Sequence, residues 1–369
     1  MNKSIFIFIT FIVLLSCNND NNKISDITQI SINPSENKSI RLSEFVEDYF
    51  YIPLESNDRS LISNIKKVQI YKNTLVLGDL YQNYRLIFFD MKGRHLNTLD
   101  KQGGAEDEYV DIQDFHVFKD RIYIYDWESR KINIYNFLSC KFITSNKIDL
   151  PRFESFYMTE NSILLDHSGM NDYKLSIIDS NYIVKMQYLP IKNNYSVSYV
   201  PFYEFNNFKG KILYSPEFSS IIYEWSGDEL IAKIDFNFGK HWPSKEFLTN
   251  KDIYPHEIID KATSNNQITY FNFISTTNYL SVFYSFENKF QQIIMREPND
   301  NFIKLDHNSD DIKIGVNNIP IGTYKDYFIY EVPAYSIEEN IVNNDQWASL
   351  NIDIDINDNP VLLFVKYKL

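Results

Sequence analysis

Cysteine is nearly absent from the 369-residue chain, occurring only at Cys17 and Cys140. Two cysteines cannot build a disulfide framework, so a stable fold must rest on its own apolar core. Histidine is scarce too. The six, at 95, 116, 167, 241, 256 and 307, form no metalloprotease-type pair and leave no zinc cluster. There is no phosphate-binding glycine loop, dinucleotide fingerprint or G-x-S-x-G elbow, so no cofactor and no metal is assigned. Positive charge is in deficit, with 36 Lys and Arg against 49 Asp and Glu and a net charge of −13. Such a surface repels nucleic acid and anionic headgroups, and leaves cationic ligands open. Beyond the N-terminus no apolar run approaches membrane-spanning length, and no Pro-, Ser- or Gly-rich linker divides the chain.

What is present begins at the N-terminus. Lys3 precedes an apolar run from Ile5 to Leu15 broken only by Thr10, a length suited to a signal-peptide core and too short to span a bilayer. The run ends Leu14-Leu15-Ser16-Cys17. This resembles the lipobox of bacterial lipoproteins, which implies cleavage before Cys17 and acylation of that residue. Several acyl chains hold a protein stably where one does not. The expected division is residues 1–16 as signal peptide, 17–38 as lipidated cysteine and flexible tether, and 39–369 as the folded unit. Removing Lys3 makes the remainder one charge more negative.

Aromatic residues make up 16% of the chain, 27 Tyr and 28 Phe among them, and these suit pleated surfaces. An alternating phrase runs from Val68 to Asp79 around the turn Lys72-Asn73, continues through Arg85–Asp90, and closes at His95–Leu99. It returns at Phe115–Asp126 with Lys131–Asn136 after it, a spacing of about 47 residues, near the period of propeller blades. Weaker copies follow at Ser162–Asp166, Lys211–Tyr214, Tyr279–Tyr284 and Tyr327–Tyr330. The expected fold is all-β: a six-bladed β-propeller closed by pairing of Phe50–Leu54 with Val361–Tyr367. A short helical insertion is expected between Pro243 and Ala262, where alternation breaks.

Several segments together resemble the six-bladed β-propeller lipoproteins of Bacteroidetes, related in shape to NHL-type propellers. They are Tyr51-Ile-Pro-Leu-Glu55, Leu61-Ile-Ser-Asn-Ile65, Phe89-Asp-Met-Lys-Gly93, Gly103–Tyr109 and Asp358-Asn-Pro-Val-Leu362. The family form of the glycine loop is G-x-G-P-x-E-Y; here Ala105-Glu106 replaces Gly-Pro, while Glu108-Tyr109 is kept. The resemblance covers nearly the whole mature chain and implies the fold. It implies no catalytic role.

Candidate ligand contacts are Gly103, Gly104, Glu106, Glu108 and Tyr109 in that loop, with Trp127, His241 and Trp242. The loop could offer backbone N–H groups and carboxylates, although Gly-Gly more often marks a turn. Trp127 and Trp242, with Tyr81, Tyr84 and Tyr195, suit sugar stacking but suit packing between blades equally well. The Asp353–Asn359 stretch has calcium-loop features, but Asp358 and Phe364 stand where an EF-hand needs Gly and Glu.

Two function classes stay open. The preferred one is a ligand-binding or protein-interaction scaffold, held to the membrane by its lipid and facing a glycan, peptide or envelope protein. The alternative is a glycan-active hydrolase or lyase using carboxylates at the channel mouth. Converging carboxylates with an Arg or His would favour the enzyme; Tyr, Asn and backbone groups would favour binding. Asn18 offers no inner-membrane retention signal, so outer membrane is expected, on an undecided face. Cys17→Ala should leave an unprocessed precursor that takes up no palmitate label; normal labelling would contradict lipidation at this residue.

Overall fold

Short alternating runs joined by polar turns form antiparallel hairpins, and the computed structural model arranges six sheets of them as a propeller. It describes residues 27–36, 41–167, 171–191, 204–248, 257–299, 301–306, 319–341 and 354–369. Cys17 lies outside them. The chain begins with β1 (Thr28–Ser31), helix α1 (Leu42–Phe45) and β2 (Val46–Pro53). Blade 1 is β3 (Lys67–Tyr71), β4 (Thr74–Asp79), β5 (Arg85–Asp90) and β6 (His95–Leu99). Blade 2 is β7 (Asp114–Phe118), β8 (Arg121–Asp126), β9 (Lys131–Asn136) and β10 (Phe142–Lys147). Blade 3 is β11 (Ser155–Met158), β12 (Ile163–Asp166), β13 (Tyr173–Ile178) and β14 (Val184–Pro190). Blade 4 is β15 (Phe205–Phe208), β16 (Lys211–Tyr214), β17 (Ile221–Trp225) and β18 (Leu230–Asn237). Blade 5 is β19 (Tyr270–Ser275), β20 (Leu280–Phe286), β21 (Lys289–Met295) and β22 (Ile303–Asp306). Blade 6 combines β23 (Gly322–Tyr324), β24 (Tyr327–Val332) and β25 (Val361–Tyr367) with β2 outermost.

Local sequence explains the hairpins. Lys72-Asn73, Lys119-Asp120 and Lys209-Gly210 have positive φ at both residues, the turn whose twist suits adjacent antiparallel strands. The first strand of each blade is innermost, and these strands pack side by side around the axis, most sparsely between β11 and β15. Alternate side chains of each sheet then face the neighbouring blades. Six apolar clusters result, one per seam.

The N-terminal segment completes the last blade as its alternation suggests. β2 runs antiparallel to β25 with Phe50 opposite Phe364 and Pro53 opposite Val361, and the two Phe rings stack at 4.5 Å. Gly93 sits at φ +78°, where an added Cβ would lie 1.8 Å from the Pro53 carbonyl, so only glycine lets blade 1 approach this latch. The Glu55 amide donates to the Gly93 carbonyl at 2.8 Å and ties the two together.

Two features depart from expectation. Thr28–Ser31 falls in the stretch expected to be flexible tether, yet β1 adds to blade 4 as a fifth, parallel strand, with Ile30 fully buried. Its alternation spans too few residues to be read from sequence. The chain then crosses the rim of blade 5, where Gln291 Nε2 donates to the Pro34 carbonyl at 3.2 Å. The expected helical insertion holds a 3-10 turn (Gly239–His241) just before it, α2 (Lys245–Leu248) and α3 (Ile258–Ser264), with 249–256 outside the described residues. A further helix, α4 (Ala334–Ile341), lies between β24 and β25 and was not anticipated.

Phe364 is fully buried where the ring of blades closes. Phe364→Ala should lower unfolding stability by about 3–5 kcal/mol in urea titration, the usual cost of emptying such a position; a loss under about 1 kcal/mol would mean the latch contributes little.

Candidate functional site

The face at which inner strands begin, here the upper face, carries a recurring aspartate at the end of the second strand of blades 1, 2 and 3. In blade 1, Asp79 accepts from Ser63 Oγ at 2.6 Å and Asn83 Nδ2 at 2.7 Å, and pairs with Arg85. In blade 2, Asp126 accepts from the amides of Val110 at 3.0 Å and Ser129 at 2.9 Å. Both pin the incoming loop. In blade 3 the equivalent Asp166 instead reaches across a seam, accepting from Tyr214 Oη of blade 4 at 2.6 Å.

That seam differs from the others. Among the described residues it holds five buried apolar side chains, Leu164, Leu175, Ile177, Tyr214 and Trp225, whereas the neighbouring 4/5 seam holds sixteen. Polar groups take the remaining space. Ser155 and Asp166 stand directly opposite in register, so their side chains share the sheet face turned to blade 4. Glu204 meets them from the approach to β15, and is 4% exposed. Glu154 lies one residue before β11 and accepts from Gln113 Nε2. Asp114 pairs with Lys67 at 2.8 Å and accepts from the Phe156 amide at 3.1 Å, joining blades 1, 2 and 3. Lys174 crosses the seam and donates to the Glu217 carbonyl at 2.6 Å.

Burial dominates the electrostatics. It lifts Glu204 to about 8, with the charges of Asp166 and then Asp114 pushing the same way. Burial likewise lifts Glu154 to about 7, against the pull of Lys66. Lys174 is lowered by burial, opposed by Glu217 and Asp166. Ser155 Oγ has no formed hydrogen bond, and neither have His116 Nδ1 and Asn272 Nδ2 on the inner strands β7 and β19. Orphaned buried polar atoms of this kind call for water or a ligand.

Beside the seam, at Lys174, which lies in the field of Asp166, opens a cleft of about 470 Å³ lined by Lys174, Glu217, Phe218, Trp242, Pro243 and Leu248 among others. Trp242 is held by stacking on Phe238 at 5.6 Å and by an edge contact to Phe271 at 5.7 Å. One wall is therefore rigid and aromatic, and Lys174 and Glu217 are the seam residues that line the cleft.

Of the residues singled out from sequence, Trp242 lines this cleft. His241 is beside it in sequence, but its Nδ1 faces the Asn266 carbonyl at 2.8 Å and its ring meets Phe286. Gly103, Gly104, Glu106, Glu108 and Tyr109 lie together elsewhere, between blades 1 and 2. There Gly103 N donates to the Tyr109 carbonyl at 2.9 Å, and the Ala105 amide to Glu108 Oε2 at 2.7 Å. Tyr109 is fully buried and donates to the Leu99 carbonyl at 3.1 Å, whereas Gly104 and Glu106 are exposed. Trp127 sits at blade 2 under the Arg152 guanidinium, 5.4 Å from its ring. Tyr195 lies outside the described residues. Sequence reasoning passed over Lys174, Glu154, Glu204 and Glu217; the one available signal was Asp166, which repeats the aspartate of the stronger blades.

Fold and cleft together define a six-bladed propeller protein with a ligand-sized cleft beside one polar seam. The chain belongs to the family described as Domain of unknown function (DUF4934), whose model matches residues 27–366. No curated protein matches it in sequence. Among solved structures it is similar to a Bacteroides fragilis protein described as exported, at 18% identity and a TM-score of 0.77, covering 93% of this chain and all of that one. It also matches a DUF4221-family member from Bacteroides vulgatus at 11% identity and a TM-score of 0.49, covering 88% of this chain and 97% of that one. At these identities the likeness concerns the fold.

A carboxyl raised in the folded state holds a proton that the unfolded chain has released. The stability it adds is complete below the unfolded value and is lost as pH climbs through the folded one. From the unfolded glutamate value of 4.5 up to about 7 for Glu154 and about 8 for Glu204, rising pH should therefore lower the melting temperature, while Lys174, depressed on folding, acts in the opposite sense. Glu204→Gln isolates one share: its melting temperature should fall less over that window than the parent's. Parallel curves by scanning fluorimetry would refute a raised Glu204.

Proposed function

We propose that the protein is an exported, lipid-anchored binding module of the cell envelope whose ligand seats in the cleft at the seam of blades 3 and 4. One observation carries this reading: the cleft opens beside the seam where, among the described residues, apolar packing between blades is thinnest and Asp166, Lys174 and Glu204 are buried. A pocket with an apolar wall and a few convergent polar groups is the usual form of a small-ligand site. The aromatic wall at Trp242 suits a sugar ring or an apolar side chain, so a glycan or peptide is the ligand class. Residues 1–16 are removed on export in this reading, Cys17 carries the lipid, and the stretch up to β1 is the tether. Outer-membrane placement follows from Asn18 by analogy with lipoprotein sorting.

The hydrolase or lyase reading has one observation in its favour, the raised Glu154 and Glu204 close to Asp166, since acid–base chemistry uses carboxyls of unequal acidity. Its other requirement is less well met. The cation at the seam is Lys174, already engaged with a backbone carbonyl, and His167 is held between the Arg152 carbonyl and Ser176 Oγ.

A glycan and peptide panel on the full chain in detergent tests binding, with Trp242→Ala and Trp127→Ala beside it. A ligand of the cleft should lose at least about tenfold in affinity in Trp242→Ala, about 1.4 kcal/mol, and nothing in Trp127→Ala. Loss in Trp127→Ala alone would move the site to blade 2.

A further inference from the structure

The buried carboxylates around the inner strands of blades 2, 3 and 4 outnumber the cations that face them. Asp114 has Lys67 at 2.8 Å. Asp166 has Tyr214 and lies in the field of Lys174. Glu154 has Gln113 and lies in the field of Lys66. Glu204 is as deeply buried as these, yet no described lysine, arginine or histidine forms an ion pair with it. Ser155 Oγ, 9% exposed, lies near enough to Glu204 to oppose the rise of its carboxyl, yet makes no hydrogen bond of good geometry. A buried carboxylate without a cation is costly, and the cost is met either by a proton or by a cation from outside.

We propose that this seam binds a protonated primary amine, its ammonium held by the Glu204 carboxylate and Ser155 Oγ while its apolar carrier runs past Lys174 along Trp242. This rests on the reading of the cleft as a ligand site and adds the chemistry of the ligand. An ammonium has three donors and no acceptor, which matches two carboxylate oxygens and one hydroxyl oxygen. A divalent metal fits less well, because no group of three His, Cys, Asp or Glu side chains converges to hold one among the described residues. The negative field of Asp166 and Asp114 favours the cation. Glu154, Lys174 and Tyr214 are the other titratable groups around it.

Amine and proton then compete for Glu204, so binding releases a proton and strengthens as pH rises. The test is calorimetry on the full chain in detergent with phenethylamine and 2-phenylethanol, which differ in their ammonium and hydroxyl ends. It is run from pH 6 to 9 in two buffers of unlike ionisation enthalpy. The amine should bind at least about tenfold more tightly than the alcohol at pH 8, equivalent to one ion-paired hydrogen bond. Its affinity should rise up to about tenfold per pH unit below Glu204's raised value and then level off. Up to one proton should leave per amine bound near pH 7. Glu204→Gln should abolish both the preference and the proton release, and Ser155→Ala should weaken them. Proton release by the unaltered chain needs no variant, so a poorly folding Glu204→Gln does not blunt the test. Equal binding of amine and alcohol, a preference that survives in Glu204→Gln, or no binding of the amine at millimolar concentration overturns the proposal. A neutral glycan that binds and is lost in Trp242→Ala would overturn the amine while leaving the cleft as a ligand site.

Discussion

Each four-stranded sheet of this protein has two apolar faces, and water can be kept from both only by a neighbouring sheet on either side. That requirement forces radial stacking and then closure of the ring. Full burial of a Leu, Ile or Phe side chain is worth about 1.5–3 kcal/mol, so seams such as 4/5, rich in these residues, dominate the energetics. The ion pairs that link turns on the lower face, such as Lys72–Asp120 and Lys119–Glu160, are exposed and screened by water, so they contribute little. They follow the ring and do not hold it. The latch of β2 on β25 matters because without it blade 6 would expose an unpaired edge and half of an apolar face.

A wheel held by apolar seams tolerates polarity only where something compensates. The seam of blades 3 and 4 departs from the pattern: Asp166 is turned from pinning a loop to bridging blades, Lys174 crosses over, and Glu154 and Glu204 are buried beside them. Every one of these groups costs free energy relative to a leucine in the same place. Such local losses are tolerated at binding surfaces because the rest of the scaffold stays rigid. The weakened acidity of the two glutamates and the cleft at Lys174 both accompany this one change in packing.

Much of the architecture was legible because the side-chain period of a strand is two and the blade phrase repeats. Val68–Asp79 and Phe115–Asp126 carry both signals at full strength, and Phe50–Leu54 shows the alternation of a strand in need of a partner. The glycine loop at 103–109 was readable as a loop, and the structure places it between blades 1 and 2, tied by its own hydrogen bonds. Trp242 was found because it flanks a break in alternation. β1 was missed because four residues hold too little pattern, and α4 because it interrupts a blade whose halves are recognisable on either side.

Local pattern by itself determined the strand class, the number of blades and the terminal latch, since periodicity and turn chemistry act over a few residues. It could not determine that Ser155, Asp166, Lys174, Glu204 and Glu217 share one seam. They come from five separate points along the chain, and only the angle at which two blades meet brings their side chains together. Burial then sets their charge states, because desolvation depends on the surroundings in space and not on sequence neighbours.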